Sequence, residues 1–264
     1  MTEEPPLLEA EGVGKQYGAI TALRDVSMSV VRGQVTCLLG DNGAGKSTLI
    51  QILSGACAPD SGVIRTEGQE VSFRSSADAL DRGIATVYQD LAIVPIMPIF
   101  RNFCLGREPV RGWGPTRRFD KRRARLMAQT ELESIGIEIA DMARAVGTLS
   151  GGQRQAVAIA RAAYFGARVL ILDEPTSSLG VKEAEIVLKY VEKSKAQGVG
   201  IVLVTHNVQH AFPVGDTFTI LRRGEVVGSY KKGDLSLEEL TRFMAGGEAV
   251  PGLGGRGTLP ETWS

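Results

Sequence analysis

The residues from Gly40 to Ser47 read Gly-Asp-Asn-Gly-Ala-Gly-Lys-Ser and fit G-x-x-x-x-G-K-[ST], a spacing whose chemistry is phosphate binding. Gly40, Gly43 and Gly45 allow the backbone N–H groups of the loop, including those of Asp41, Asn42 and Ala44, to turn inward around an anion. Lys46 can carry its charge to the outer phosphates, Ser47 offers a hydroxyl to Mg2+, and Thr48 continues the same turn. The flanks suit this reading. Val35 to Leu39 is an apolar run that reads as a strand, and Ser47 to Leu53 reads as a helix whose positive end faces the same anion.

Two other segments could do related chemistry. Val169 to Leu172 is apolar and ends in Asp173-Glu174. An acidic strand end is common in itself. Beside a phosphate loop, the first carboxylate can hold Mg2+ through water, and the second can orient and deprotonate an attacking water. Leu149-Ser150-Gly151-Gly152-Gln153 opens a helix, so its free N–H groups and the Ser150 hydroxyl offer a second anion site. Ordinary helix capping would account for Ser150. It would not account for two glycines just inside the helix, where each costs up to about 1 kcal/mol relative to Ala. Glycines there imply a close approach to the backbone.

The chain that must position these groups has 264 residues, enough for one large domain or two small ones, and its 43% apolar content supports a sizeable core. Basic and acidic residues number 30 each, a balance that argues against a dedicated nucleic-acid binder. Cys37, Cys57 and Cys104 are scattered and match neither a disulfide framework nor a metal-ligand spacing, which suits a reducing compartment. The first residues carry no secretory pattern, and no stretch approaches the roughly 20 apolar residues that span a bilayer. Leu7 to Val31 and Gly62 to Phe73 read as β-rich. Helices are expected over 120–135, 150–165, 181–196 and 236–244, a buried strand over 200–205, and a hairpin around Arg223-Gly224. Alternating strands and helices imply an α/β fold with a mainly parallel sheet. One domain is expected over 7–245, with a helical lobe at about 90–163, a disordered start at 1–6 and a flexible tail at 246–264.

Taken together in order, Tyr17, the phosphate loop, Gln89, the LSGGQ segment, Asp173-Glu174 and His206 resemble the ATP-binding subunits of ABC transporters over roughly residues 8–244. The resemblance implies a phosphate-loop NTPase fold with a mainly parallel central sheet, an N-terminal antiparallel β subdomain and a helical subdomain. It implies ATP and Mg2+ as ligands, and hydrolysis of ATP. Tyr17 matches the aromatic that stacks on adenine. Gln89 matches the glutamine that reaches Mg2+ and the attacking water, and His206 the histidine that contacts the γ-phosphate. Lys46, Gln89, Glu174 and His206 form the implied catalytic set. Ser47, Gln89 and Asp173 form the implied metal set. In this family ATP lies between the phosphate loop of one protomer and Ser150, Gly151, Gly152 and Gln153 of another, so a second copy of the chain is the expected partner. A heterodimer is the alternative. Many family members carry Asp where this chain has Gly180, which puts the cross-dimer contact of that position in doubt.

Thr86 to Pro109 and Asp173 to Glu183 are similar to monosaccharide importer ATPases of the second carbohydrate-uptake class, with the short fructose-type members nearest in form. That resemblance implies a peripheral protein on the cytoplasmic face of the cell membrane. Its partners would be an integral membrane permease and, indirectly, a sugar-binding protein, with no nucleic acid. A soluble non-transport ABC ATPase, and an importer of another solute, are the alternatives. Part of the apolar run Leu91 to Phe100 is expected to build the core, and part to line a groove for a short cytoplasmic helix of the permease. Seven basic residues between Arg111 and Arg125 read as a solvated helix face or as a contact with anionic lipid.

Overall fold

The computed structural model describes residues 4–246. Expectations for residues 1–3 and for the tail beyond Gly246 lie outside the described residues. The chain begins with an antiparallel ribbon of β1 (Leu8–Tyr17) and β2 (Ile20–Val30), followed by β3 (Val35–Leu39) and α1 (Lys46–Leu53). Next come β4 (Ser61–Thr66), β5 (Gln69–Val71), α2 (Ser76–Asp81) and β6 (Ile84–Val87). A lobe follows with α3 (Ile99–Phe103), a small hairpin of β7 (Val110–Arg111) and β8 (Arg118–Phe119), α4 (Lys121–Glu133) and α5 (Gly151–Tyr164). The chain then returns through β9 (Val169–Asp173), α6 (Val181–Ala196), β10 (Gly200–Thr205), α7 (Val208–Val214), β11 (Thr217–Arg222), β12 (Glu225–Lys231) and α8 (Leu237–Met244).

The central sheet has the order β12-β11-β3-β10-β9-β6, parallel except for the edge strand β12, and a second antiparallel sheet has the order β2-β1-β4-β5. Strands buried on both faces read as near-continuous apolar runs. Every residue of β3 and β10 is buried. Alternation then divides these strands between two cores. Cys37, Leu39, Leu170, Leu172, Ile201 and Leu203 pack with α3 to α6. Leu38, Val169, Ile171, Val202 and Val204 pack with α1 and the antiparallel sheet.

Register sets the functional edge. Thr205 pairs with Leu39, Val204 with Asp173, and Val87 with Leu172. The carboxyl ends of β3, β10, β9 and β6 therefore lie side by side, which is where open α/β sheets bind ligands. The lobe is tied back to this body through Glu131 on α4, which accepts from the buried Tyr190 hydroxyl and pairs with Lys193 on α6, both at 2.9 Å.

One sequence expectation changes here. The basic segment is not one helix face: Arg111 and Arg118 face each other across the β7–β8 hairpin, and only Lys121, Arg122, Arg123 and Arg125 ride on α4. The run Leu91 to Phe100 is mostly a loop. Buried Asn102 staples it by accepting from Val94 N–H and donating to the carbonyls of Val94, Met97 and Pro98. Prolines 95 and 98 break any regular element, so the freed backbone groups need a side-chain partner.

Candidate functional site

The phosphate loop turns from β3 into α1 with Gly45 as N-cap at φ 107°, a left-handed value open to glycine and strained for other residues. α1 has no side-chain cap and no acidic residue in its first turn, so its N-terminal N–H groups keep their positive field. Lys46 is only 7% exposed, and its Nζ donates to the carbonyls of Gly40 at 2.6 Å and Asp41 at 3.1 Å. Ser47 stands exposed at the start of the helix, with Thr48 half-buried beside it. Tyr17 ends β1 with its ring exposed. Its hydroxyl lies 3.9 Å from Cys57 Sγ and is pushed above the usual phenol range by burial and then by Cys57.

Glu174 lies in the same cluster. Its φ is +47°, an uncommon value for a residue with a side chain and one that surrounding structure must enforce. Its N–H donates to the Val204 carbonyl at 2.9 Å. Its carboxylate accepts from the Thr205 hydroxyl at 3.1 Å and from the His206 N–H at 3.1 Å, while His206 Nδ1 lies 2.8 Å from Oε1. Lys46 Nζ is 3.9 Å from the same oxygen. The ends of β9 and β10 thus hold one carboxylate in a fixed position beside the phosphate loop. Burial, and then the neighbouring Glu174, push Asp173 above the usual carboxylate range, with Lys46 opposing.

Among the described residues, no group of three or more His, Cys, Asp or Glu side chains could hold a metal ion. The donors present are the Ser47 hydroxyl and the Asp173 carboxylate. Mg2+ bound with a nucleotide takes one or two protein oxygens and completes its shell from phosphate and water, so this sparse oxygen set fits it.

The other expected residues lie apart from the cluster. Gln89 is exposed in the loop after β6, and its amide makes no hydrogen bond among the described residues. Ser150 caps α5 in a reciprocal box with Gln153. A Cβ on Gly151 would lie 3.0 Å from Leu179 Cδ2, and one on Gly152 would lie 2.7 Å from Glu183 Cβ. The close approach implied by these glycines is therefore made, within the chain, by the segment leading into α6. Thr205 and Glu183 carry no motif of their own, and sequence reading missed both. His210 Nδ1 lies 2.9 Å from Thr176 Oγ1, bracing α7 against the turn after β9.

A glycine loop with a buried lysine after β3, and a braced carboxylate after β9 on the far side of β10, define a phosphate-loop NTPase. More narrowly, residues 23–177 match the family model described as ABC transporter, and the chain belongs to that family. The xylose/arabinose import ATP-binding protein of Sulfolobus acidocaldarius is 44% identical, over 90% of this chain and 93% of that protein. The fructose import ATP-binding protein of Rhizobium meliloti is 42% identical, over 94% of this chain and 97% of its own length. A ribose import ATP-binding protein of Rubrobacter xylanophilus is 41% identical, but the chain spans only 53% of it. Among solved structures, a nucleotide-free ATP-binding cassette from an ABC transporter superposes with a TM-score of 0.77 at 25% identity, covering 91% of this chain and 95% of that one. A dimeric post-hydrolysis state of an ATP-binding cassette bound to ADP and phosphate gives 0.71 at 25% identity, covering 85% of this chain and 98% of that one.

Proposed function

We propose that this chain is the ATP-hydrolysing subunit of an importer that takes up a monosaccharide through a separate integral membrane permease, at the cytoplasmic face of the membrane. The observation that carries the catalytic reading is Glu174, held between Thr205, His206 and Lys46 beside a phosphate loop. The names of the full-length relatives support sugar import.

In this reading the N–H groups of residues 41–48 and the end of α1 bind the β- and γ-phosphates, and Tyr17 stacks on adenine. Lys46 leaves the Gly40 and Asp41 carbonyls for the phosphate oxygens. Glu174 orients the attacking water and takes its proton, while Thr205 and His206 keep the carboxylate in place. Ser47 and Asp173, with Gln89 moving in, would hold Mg2+, which when bound offsets charge on the phosphates. No hydrogen bond joins 149–153 to the phosphate loop among the described residues, which suits a sandwich of ATP between two copies. The dimeric relative bound to ADP and phosphate supports the same arrangement.

No helix among the described residues is long and apolar enough to cross a membrane, and in this reading coupling passes through the permease. A groove of about 420 Å3, mainly apolar, opens between the end of β6 and the lobe, lined by Val87, Tyr88, Leu105, Arg107, Ala162 and Phe165. It directly precedes Gln89, and a short apolar helix of the permease fits such a groove. Of the run 91–100, only Ala92 lines it; Ile96 is 87% exposed elsewhere, and Ile99 and Phe100 are core.

Steady-state release of phosphate from ATP tests the catalysis. Glu174→Gln should keep ATP binding and lose hydrolysis by about 10²–10⁴-fold, the usual contribution of a general base. Wild-type turnover in this variant would refute the assignment. Co-purification from membranes tests coupling. The leading reading expects a multi-spanning permease, and Leu105→Arg should release it while leaving phosphate release by the isolated chain unchanged.

A further inference from the structure

The lobe carries a basic hairpin that the nucleotide site does not use. From Val110 to Arg125 stand seven basic side chains and one acid, Asp120, whose carboxylate already caps α4 by accepting from the Arg123 N–H. The formal net charge of the whole chain is zero, so the positive excess of this segment is offset elsewhere and the charge of the molecule is one-sided. Among the described residues, none of the seven forms an ion pair. Arg111 and Arg118 stand directly opposite each other on the β7–β8 ladder, where like charges destabilise the pairing unless an anion joins them.

At the tip of this hairpin Trp113 is 89% exposed. The turn holds it there. Gly112 and Gly114 flank it at φ +87° and +56°, and Thr116 Oγ1 accepts from the Trp113 N–H at 3.2 Å and donates to its carbonyl at 2.7 Å. The base is anchored as well. Phe119 stacks on buried Phe100 with ring centroids 6.1 Å apart, and the Asp120 N–H donates to the Pro109 carbonyl at 2.8 Å. The hairpin also continues directly from the wall of the apolar groove, which Leu105, Gly106 and Arg107 help to line.

We propose that the β7–β8 hairpin is a membrane-surface anchor, with Trp113 entering the interfacial layer of the bilayer while Arg111, Arg117, Arg118 and the first turn of α4 meet anionic lipid headgroups. An indole suits that layer because its ring is apolar and its N–H can stay hydrated. The placement rests on the permease reading of the groove, since a groove that receives a permease helix faces the bilayer. Single-stranded nucleic acid would want a row of aromatic platforms along the basic track, and this segment offers one exposed aromatic.

The test uses the full chain carrying Trp263→Phe, which leaves Trp113 as its one tryptophan. Vesicles of phosphatidylglycerol and phosphatidylcholine should shift its emission to the blue and sediment the protein, less so as salt is raised, and phosphatidylcholine alone should do neither. Replacing Arg111, Arg117 and Arg118 together with Gln should weaken vesicle binding by about 10²-fold, at roughly fivefold for each charge near the surface. Phosphate release and the melting temperature should stay unchanged, because all three side chains are exposed. Unshifted Trp113 emission, equal binding to neutral vesicles, or wild-type binding by the triple variant overturns the proposal. So does a Trp113 response to a single-stranded oligonucleotide that anionic vesicles do not produce. No permease enters this measurement, so its failure leaves the importer reading standing, and failure of co-purification with a permease leaves the vesicle result standing.

Discussion

The N-termini of α1 and α5 both read as anion sites in the sequence, yet the folded chain treats them differently. α1 starts at a left-handed glycine with no side-chain cap and no acidic neighbour in its first turn. α5 starts with a complete capping box and has Glu183 against its second residue. The first site has its donors held open by the scaffold. The second has the N–H groups of Ser150 and Gln153 closed into the capping box and Glu183 packed against Gly152, which makes it the conditional site of the two. A motif states that donors exist; only the packing around it shows whether they are already used.

Breaking the open site should have the largest effect. Lys46→Ala removes a buried positive charge from the loop and should lower phosphate release by at least about 10²-fold while weakening nucleotide binding, as loss of one preorganised electrostatic group does. Breaking the conditional site should separate those two readouts. Ser150→Arg places bulk and charge at the α5 end. It should weaken the ATP-dependent dimer and cut turnover by about tenfold, the effect of roughly 1.4 kcal/mol of lost closure. The isolated chain should keep its nucleotide affinity in an equilibrium titration. Equal loss of binding in both variants would erase the distinction between the two helix ends.

Much of this was legible in the residues, for physical reasons. Buried parallel strands read as near-continuous apolar runs, so β9 and β10 stood out, and capping residues marked α4, α5 and α8 within a residue or two. The phosphate loop and Asp173-Glu174 were readable because their chemistry sits in contiguous residues. Thr205 and Glu183 were not, because their roles arise from long-range register: Val204 pairs with Asp173 and thereby delivers Thr205 to Glu174. The β7–β8 hairpin and α2 were missed because elements this short carry too little periodicity to detect. The Asn102 staple was hidden although it is local, since nothing in an Asn announces four hydrogen bonds to Val94, Met97 and Pro98.

The smallest expected effects give the sharpest form of the comparison, because alanine can be placed at one glycine on each side. Gly43 has φ +81° and nothing within 4 Å of a built Cβ, so Gly43→Ala meets backbone strain but no collision. Left-handed strain costs about 1–2 kcal/mol. In a chain of this size each kcal/mol lowers the melting temperature by about 2–4 °C. Its functional cost should be larger than that, because the added methyl stands on the open face of the loop where phosphate must approach. Gly152 has ordinary helical backbone, and its Cβ would meet Glu183 at 2.7 Å. Gly152→Ala should therefore act through crowding, at about 1–3 kcal/mol, by pushing α5 from α6. It should leave nucleotide affinity of the separate chain intact and change the ATP needed for dimer formation. Calorimetric melts paired with nucleotide titrations would show the pattern: similar instability in both, with binding lost at Gly43 and kept at Gly152. The reverse pattern would mean that the α5 glycines face ligand and the phosphate-loop glycine faces protein, contrary to the geometry of both helix ends.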